Sequence, residues 1–366
     1  MKFTINREQL LAPLQQIVSV IERRQTMPIL SNVLIAVSDQ SVVLTGTDLE
    51  IQIVAKLDLQ DFDEGEITVP ARKFLDICRL LPSEAEIKIE VQGDKVKVTS
   101  GRSRFSLSSL DADDYPEFSE AELEHQFVIN AGDFKKALSK TMFCMANQDV
   151  RYYLNGLMMN VSNSKLKLVA SDGHRLSIYK GEIGVATGFE ERIIIPRKGV
   201  LELSRLLDDS DAELNIQFSS SNIKIIIKNL VFSAKLVDAK YPDFSKVFEQ
   251  EFFAPINIPK QRLKEALTRV AILANEKFKG VGFDMSEDLL KISAHNPEHD
   301  EAEEELMIEY QGEPLSIAFN AQYLLDAISN LESEEAVLTI AQNASSCFIE
   351  DPSDESFKFI VMPMRL

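Results

Sequence analysis

Two short stretches bring together side chains that could do chemistry. In Ser171-Asp172-Gly173-His174-Arg175-Leu176 an aspartate, a histidine and an arginine adjoin directly after the strand-like run Leu166-Lys167-Leu168-Val169-Ala170. An imidazole held by a carboxylate is a common general base. In His295-Asn296-Pro297-Glu298-His299 the spacing is H-x-x-E-H, the inverted zinc-protease motif. That motif needs both histidines on one helical face. Pro297 in its middle, Asn296 before it and the acidic run after it predict a surface turn instead. For His174, no serine or cysteine nucleophile is placed by a motif, and Cys144 falls in an apolar helical pattern. Asp172-Gly173 reads as turn chemistry after a strand. His174 and Arg175 are then donors at the rim of a groove as readily as parts of a catalytic group. The chain has no P-loop, no G-x-G-x-x-G and no G-x-S-x-G. It is read as a non-enzyme with no cofactor and no metal.

The elements that must hold these residues come from a chain of 366 residues, 45% hydrophobic, long enough for two or three cores. No apolar run is long enough to span a bilayer, and the N-terminal Met-Lys-Phe-Thr-Ile-Asn-Arg mixes charges early, unlike a signal peptide. A soluble cytoplasmic protein without membrane contact is expected. Cys78, Cys144 and Cys347 are scattered and odd in number, so buried free thiols are expected. The net charge of −19 argues against nucleic acid unless the basic residues are segregated.

They are segregated, because the chain repeats itself. Ile67 and Ile193 each open a strand that leads through Pro and a basic pair to an amphipathic helix ending Arg-Leu-Leu, an acidic turn and alternating strands. Arg72 corresponds to Arg197, and Tyr115-Pro116 to Tyr241-Pro242. The segments from Phe3, Phe127 and Pro255 match one another as a short strand followed by a helix. Three copies result: residues 1–125, 126–253 and 254–366, each with the strand–helix–strands unit twice over. Two helices packed on antiparallel sheets per copy give an α+β class. Basic charge sits on the helices: Arg72, Lys73 and Arg79; Lys135, Lys136 and Lys140; Lys260, Arg262, Lys264 and Arg269; the second helix of the third copy, Asn320 to Glu332, is the exception and is acidic. The acidic excess is assigned to turns and tails, above all the run Glu298 to Glu305. The slot occupied by Asp172 holds Asp48 in the first copy, so an acidic turn belongs to the frame and Gly173-His174-Arg175-Leu176 is the addition.

The triplicated pattern, together with Gln148-Asp149-Val150-Arg151-Tyr152-Tyr153-Leu154-Asn155-Gly156, the Ser171–Leu176 stretch, Asn275-Glu276-Lys277-Phe278 and the terminal Val361-Met362-Pro363-Met364-Arg365-Leu366, resembles the beta subunit of bacterial DNA polymerase III, the sliding-clamp family. The resemblance covers the whole chain. It implies three similar domains per chain and a head-to-tail homodimeric ring of six domains around duplex DNA. A domain of such size has a radius of gyration of roughly 13–14 Å, so six in a ring leave a hole on the order of 30 Å. Loose phosphate attraction without base readout suits sliding. The resemblance implies DNA contacts at Arg24, Arg72, Gln148, Tyr152 and Tyr153, with Arg197 and Lys198 as weaker candidates, and the tyrosines can stack on a single-stranded template. It makes the Ser171–Leu176 loop one wall of a pocket for short clamp-binding peptides. The matching positions are Leu154, Ser171, Gly173, His174, Arg175, Leu176, Pro242 and Val247, and in the third copy Asn320, Tyr323, Ser346 and Ile360 through Val361, Met362, Pro363, Met364, Arg365 and Leu366. Ser171 stands where the family often has Thr, and Ala344 where a larger residue can sit. Ring closure is expected from Lys73, Phe105 and Leu107 against Ile272, Leu273, Glu298, Glu301 and Glu304. The implied partners are double-stranded DNA, a second copy of the chain, a clamp loader, the polymerase alpha subunit and other proteins with clamp-binding motifs. A tether that confers processivity competes with a hydrolase built on His174 and Asp172, and with a protein-binding repeat scaffold.

Overall fold

The computed structural model describes residues 1–22, 27–118, 122–184 and 187–365. One module recurs along them six times: a leading strand, a helix, and three antiparallel strands. The helices are α1 (Arg7–Val20), α2 (Ala71–Leu80), α3 (Ala131–Met142), α4 (Arg197–Leu206), α5 (Lys260–Val270) and α6 (Ala321–Ser329). Each leading strand ends in Asn or Pro where its helix begins: Asn6, Pro70, Asn130, Pro196, Pro259 and Asn320. Asn6 and Asn320 accept from the first free helical amides, Glu8 N at 2.8 Å and Gln322 N at 2.9 Å, which satisfies donors that no helical carbonyl can reach.

Modules work in pairs by exchanging leading strands. Lys2–Asn6 of the first pairs with Glu86–Gln92 of the second, and Gly65–Pro70 of the second pairs with Asn32–Ser38 of the first. His125–Asn130 pairs with Glu213–Phe218 and Glu190–Pro196 with Gly156–Ser162. Ile256–Pro259 pairs with Glu335–Ile340 and Leu315–Asn320 with Gly280–Ser286. Three exchanged pairs make three α+β domains. The strands alternate buried and exposed residues, as in Ile51, Ile53 and Ala55, so each sheet turns one apolar face inward. At Gly46 that packing needs the absence of a side chain: a Cβ there would lie 2.5 Å from Ile17 Cγ2 of α1.

Trailing strands carry the sheets further. Ile51–Asp58 pairs with Leu230–Lys235, and Arg175–Glu182 pairs with Asp354–Val361. Each junction yields a continuous eight-stranded sheet. The chain accordingly divides into two compact bodies, residues 1–135 with 198–238 and residues 136–197 with 239–366, a division that runs through the central repeat. The first body holds a five-stranded and an eight-stranded sheet, and the second an eight-stranded and a four-stranded one.

Two sequence readings change here. The acidic run is not all turn: Glu301–Met307 is a strand, paired with Leu289–His295. Its alternation, with Ala302, Glu304 and Leu306 half-buried between exposed glutamates, is a period-two pattern hidden by the charge. Lys291 pairs with Glu303 at 2.7 Å, and Arg269 of α5 pairs with Glu304. Cys144 lies past the end of α3 rather than within a helix. Tyr152 and Tyr153 occupy a 3-10 turn ahead of the strand Gly156–Ser162. The three cysteines are free and buried, and burial pushes the Cys78 and Cys347 thiols up to about 12. Among the described residues no helix is long and apolar enough to cross a membrane.

Asp351 fastens the sixth module. Its side chain accepts from Glu332 N at 2.5 Å, Ser333 N at 3.1 Å and Ser353 N at 2.8 Å, and it is 3% exposed. Burial alone raises its pKa, but the Ser353 hydroxyl and the three amides outweigh that and hold the carboxyl well below the usual range. A depressed carboxyl stabilises the fold above its unfolded value of about 3.9 and loses that contribution as pH falls toward its folded value. Asp351→Asn is therefore expected to cost about 1–3 kcal/mol at pH 7. Urea melts at falling pH should show the gap to wild type narrowing below about pH 4; a constant gap would contradict this account.

Candidate functional site

The Ser171–Leu176 stretch is a tight turn opening the strand Arg175–Glu182. Asp172 Oδ1 accepts from His174 N at 2.9 Å and Arg175 N at 3.0 Å, an Asx turn, while Asp172 Oδ2 accepts from Arg175 Nε at 3.0 Å. Ser171 Oγ accepts from Gly173 N at 3.0 Å and donates to Arg175 O at 2.8 Å. Gly173 has φ +87°, a conformation that favours glycine. Both carboxylate oxygens thus hold the backbone and Arg175. The His174 side chain is exposed, and its carbonyl accepts from Met362 N at 2.8 Å. This geometry builds a rigid loop and not a carboxylate–imidazole pair.

Arg175 is the brace behind the turn. Its Nη1 reaches Asp326 at 2.6 Å on α6, its Nη2 donates to Phe143 O at 2.9 Å, and its guanidinium lies 4.5 Å over the Tyr323 ring. A planar fork with several fixed donors suits that role, which lysine could not fill. Arg175 lines the groove, but its donors point into the fold rather than out from the rim. Tyr323 is its stacking platform, and Asn320 is the cap of α6.

Beside the turn lies a cleft of about 170 Å³ lined by Ser171, Gly173, Arg175, Leu176, Ile360 and Met362 on one side and Phe244, Val247, Gln250, Ser345 and Ser346 on the other. Its floor is the cluster of Met158, Val169, Leu176, Ile178, Phe348 and Ile360, against which Tyr241, Phe244, Val247 and Phe252 pack. Ser346 Oγ is buried and has no hydrogen-bond partner among the described residues. An apolar slot with one unsatisfied hydroxyl and an unbranched, adaptable methionine at its lip, Met362 at 47% exposure, suits apolar side chains of an extended segment.

The expected peptide residues divide. Ser171, Gly173, Arg175, Leu176, Val247, Ser346, Ile360 and Met362 meet at the cleft. Leu154 is buried beneath the Tyr152 turn, Pro242 is exposed, Val361 is buried in its strand and Pro363 is half-buried. Met364 and Arg365 line a second cleft of about 410 Å³ with Asn275, Phe278, Gly280, His295, Asn296 and Pro297. Leu366 lies outside the described residues. Phe244, Gln250 and Ser345 were missed. The signal for Phe244 was present, since Tyr241-Pro242-Asp243-Phe244 repeats Tyr115-Pro116-Glu117-Phe118. His295 ends a strand and His299 sits in the following turn with φ 70°, so the H-x-x-E-H spacing is not helical.

The expected DNA residues are distributed over both bodies. Arg24 lies outside the described residues. Arg72 Nη2 donates to Ile21 O at 2.8 Å at the end of α1. Gln148 is exposed with φ 57°, Tyr152 is 58% exposed, and the Tyr152 and Tyr153 rings meet edge to face at 6.0 Å. Arg197 donates to Met145 O at 2.9 Å, and Lys198 is held by Glu22 and Asp48. Of the expected interface residues, Lys73, Glu298 and Glu301 are exposed, Phe105 and Leu273 are half-buried, and Leu107 is buried. Ile272 is 76% exposed, whereas Glu304 is engaged by Arg269 of its own chain. Leu80 and Met307, 86% and 73% exposed, were missed, because Leu80 reads as the last turn of a helix and Met307 as the end of an acidic tail.

Models of the DNA polymerase III beta subunit match the chain at residues 1–119 (N-terminal domain), 128–243 (central domain) and 245–365 (C-terminal domain). The beta sliding clamps of Pseudomonas aeruginosa and Escherichia coli K12 are 44% and 45% identical, with full coverage of both chains. The crystal structure of the Pseudomonas aeruginosa DnaN sliding clamp bound to griselimycin superposes with TM-score 0.96 at 44% identity, and Caulobacter crescentus pol III beta with TM-score 0.95 at 32% identity, each with full coverage of both chains. Matched in all three domains and along its whole length, this chain belongs to the DNA polymerase III beta-subunit family of DNA sliding clamps, a non-catalytic family of DNA replication.

Proposed function

We propose that two copies of the chain close head to tail into a ring that encircles duplex DNA, and that the Ser171–Met362 cleft tethers the replicative polymerase alpha subunit and other proteins carrying short clamp-binding motifs. The domains are 1–125, 126–253 and 254–366, and a separate clamp loader opens the ring. One observation carries the closure. Of the six trailing strands, four pair with one another, first module with fourth and third with sixth. The two left at sheet ends are Ser103–Ser108 of the second module and Glu301–Met307 of the fifth. The same step of three takes the fifth module to the second module of another copy. A head-to-tail contact closes only if the rotation permits, and two chains of three domains complete the cycle.

Chemistry favours this pairing. One strand is flanked by Arg102 and contains Arg104, and the other carries Glu301, Glu303 and Glu305. Exposed Leu80 and half-buried Phe105 offer apolar surface on one side, and exposed Ile272 and Met307 on the other. A charged edge also discourages pairing with unrelated strands. Gln148, Tyr152, Tyr153 and Arg72 are the DNA contacts, with Arg24 assigned from its position in the family pattern alone.

Three measurements test the reading. Loaded onto nicked circular DNA with a bacterial clamp loader and ATP, the protein is expected to stay on the circle and to leave once the circle is cut. Equal retention after cutting would mean that it grips DNA by contacts. Replacing Ile272 and Leu273 with Ala together should weaken the dimer a hundredfold or more, about 2.7 kcal/mol, while the variant keeps its melting cooperativity. A native mass still at two chains under dilution would rule out these anchors. Met362→Ala should weaken a fluorescent clamp-binding peptide about tenfold, roughly 1.4 kcal/mol, without changing loading on DNA. Unchanged peptide affinity would remove Met362 from the site.

A further inference from the structure

One helix position recurs in the three modules that begin an exchanged pair. The tenth residue is Gln16 in α1, Lys140 in α3 and Arg269 in α5, each a long side chain that can donate hydrogen bonds. Where the third and sixth modules join, the structure shows what such a residue does. Lys140, with its side chain 6% exposed, donates to Asn330 O at the C-terminal end of α6, stands 3.2 Å from Glu332 and lies 4.3 Å over the Phe357 ring. The last carbonyls of a helix have no helical amide to accept from and carry partial negative charge, so a cation fastened there joins two modules at little cost.

Arg269 holds the same position in the fifth module, whose trailing strand Glu301–Met307 ends its sheet. Its side chain is 57% exposed. Nε donates to Glu304 at 3.0 Å and Nη2 donates to the same carboxylate, whereas Nη1 stands 3.9 Å from Glu265, beyond hydrogen-bond reach. Glu304 thus fixes the fork beside the strand edge and leaves one arm uncommitted. The second module, whose trailing strand also ends its sheet, offers the complement. Leu80 is the tenth position counted from the start of α2, as Asn330 is from the start of α6, and the residues that follow, Leu81 and Leu331, are both buried. Arg7 donates to Cys78 O at 2.9 Å and to Arg79 O at 3.0 Å, and Leu81 N donates to Ile77 O at 3.2 Å. Leu80 O has no donor among the described residues, and the Leu80 side chain is 86% exposed.

We propose that Arg269 is a latch between copies of the chain: its Nη1 donates to Leu80 O at the C-terminal end of α2 in a second copy, as Lys140 donates to Asn330 O within one chain, while Nε and Nη2 keep Glu304. The inference rests on the head-to-tail reading and adds to it one donor and one acceptor. A residue that only oriented Glu304 acts through that carboxylate, and a latch acts beside it. A single charge-assisted bond to a carbonyl is also within reach of lysine, whereas a two-pronged grip on a carboxylate is not.

The test is the dimer dissociation constant of the full chain, read by sedimentation under dilution. Arg269→Ala is expected to raise it about a hundredfold, roughly tenfold at each of the two interfaces of a closed pair, with cooperative melting kept. Arg269→Lys should recover most of that loss. In a Glu304→Ala background, Arg269→Ala should weaken the dimer by about the same factor again. A dimer indifferent to Arg269→Ala overturns the latch and leaves the ring reading standing. A loss that disappears in the Glu304→Ala background overturns it as well, because Arg269 would then act only by holding Glu304, and so does a lysine variant as weak as the alanine one. A wild type that stays a single chain at every concentration would sink the ring reading, and the latch with it.

Discussion

Everything in this fold depends on how sheet edges are satisfied. A strand with one bare edge leaves a row of amides and carbonyls that must find a partner or be guarded. A single strand–helix–strands module has two such edges and one apolar face, and cannot stand alone. Exchange of leading strands gives each module a fourth strand and, in the first and third pairs, brings two helices together. Pairing of trailing strands then joins one exchanged pair to the next, as Leu230 opposite Ala55 and Leu176 opposite Ile360 do. The two trailing strands that end their sheets follow from the same rule, since three domains joined in a line by two junctions leave one trailing strand over at each end.

The cleft is a by-product of one of those junctions. Leu176 and Ile360 are register partners in the joining strands and are also cleft floor. The C-terminal strand therefore cannot be shifted without moving the pocket, since Met362 N is bonded to His174 O. Arg175 adds a second tie, from the turn to α6 and to the carbonyl of Phe143. A buried guanidinium is tolerable only with all of these partners in place. That is why Arg175, which reads in the sequence as a donor at the rim of a groove, is a structural brace.

Much of this was legible in the residues, and the limits have physical causes. The repeat, the helices and the strand–helix–strands unit are local patterns of period two and 3.6, and they emerge as read. The acidic strand is hidden in the sequence because its charge reads as a turn signal, although Ala302 and Leu306 alternate with glutamates as an edge strand should. Pairing of trailing strands is nonlocal, and nothing in Ile51–Asp58 names Leu230–Lys235 as its neighbour. The cleft was half legible: Gly173 to Leu176 stood out as an addition to a shared frame, whereas Gln250 and Ser345 carry no motif and reach the cleft only through the fold, bonded to each other at 2.6 Å.

The basic residues on the helices make the last step. Lys135 pairs with Asp209, Lys136 with Asp354, Lys198 with Glu22 and Asp48, and Arg269 with Glu304. A cation already facing a carboxylate offers a phosphate only the difference between two ion pairs, and exposed pairs differ little. In the proposed ring, contacts of that kind would attract DNA without holding any one register, and would release as readily as they form. A clamp that must move along its track gains more from several such exchangeable charges than from a few committed ones. The same carboxylates that give the chain its net charge of −19 thereby moderate its basic surface rather than oppose it.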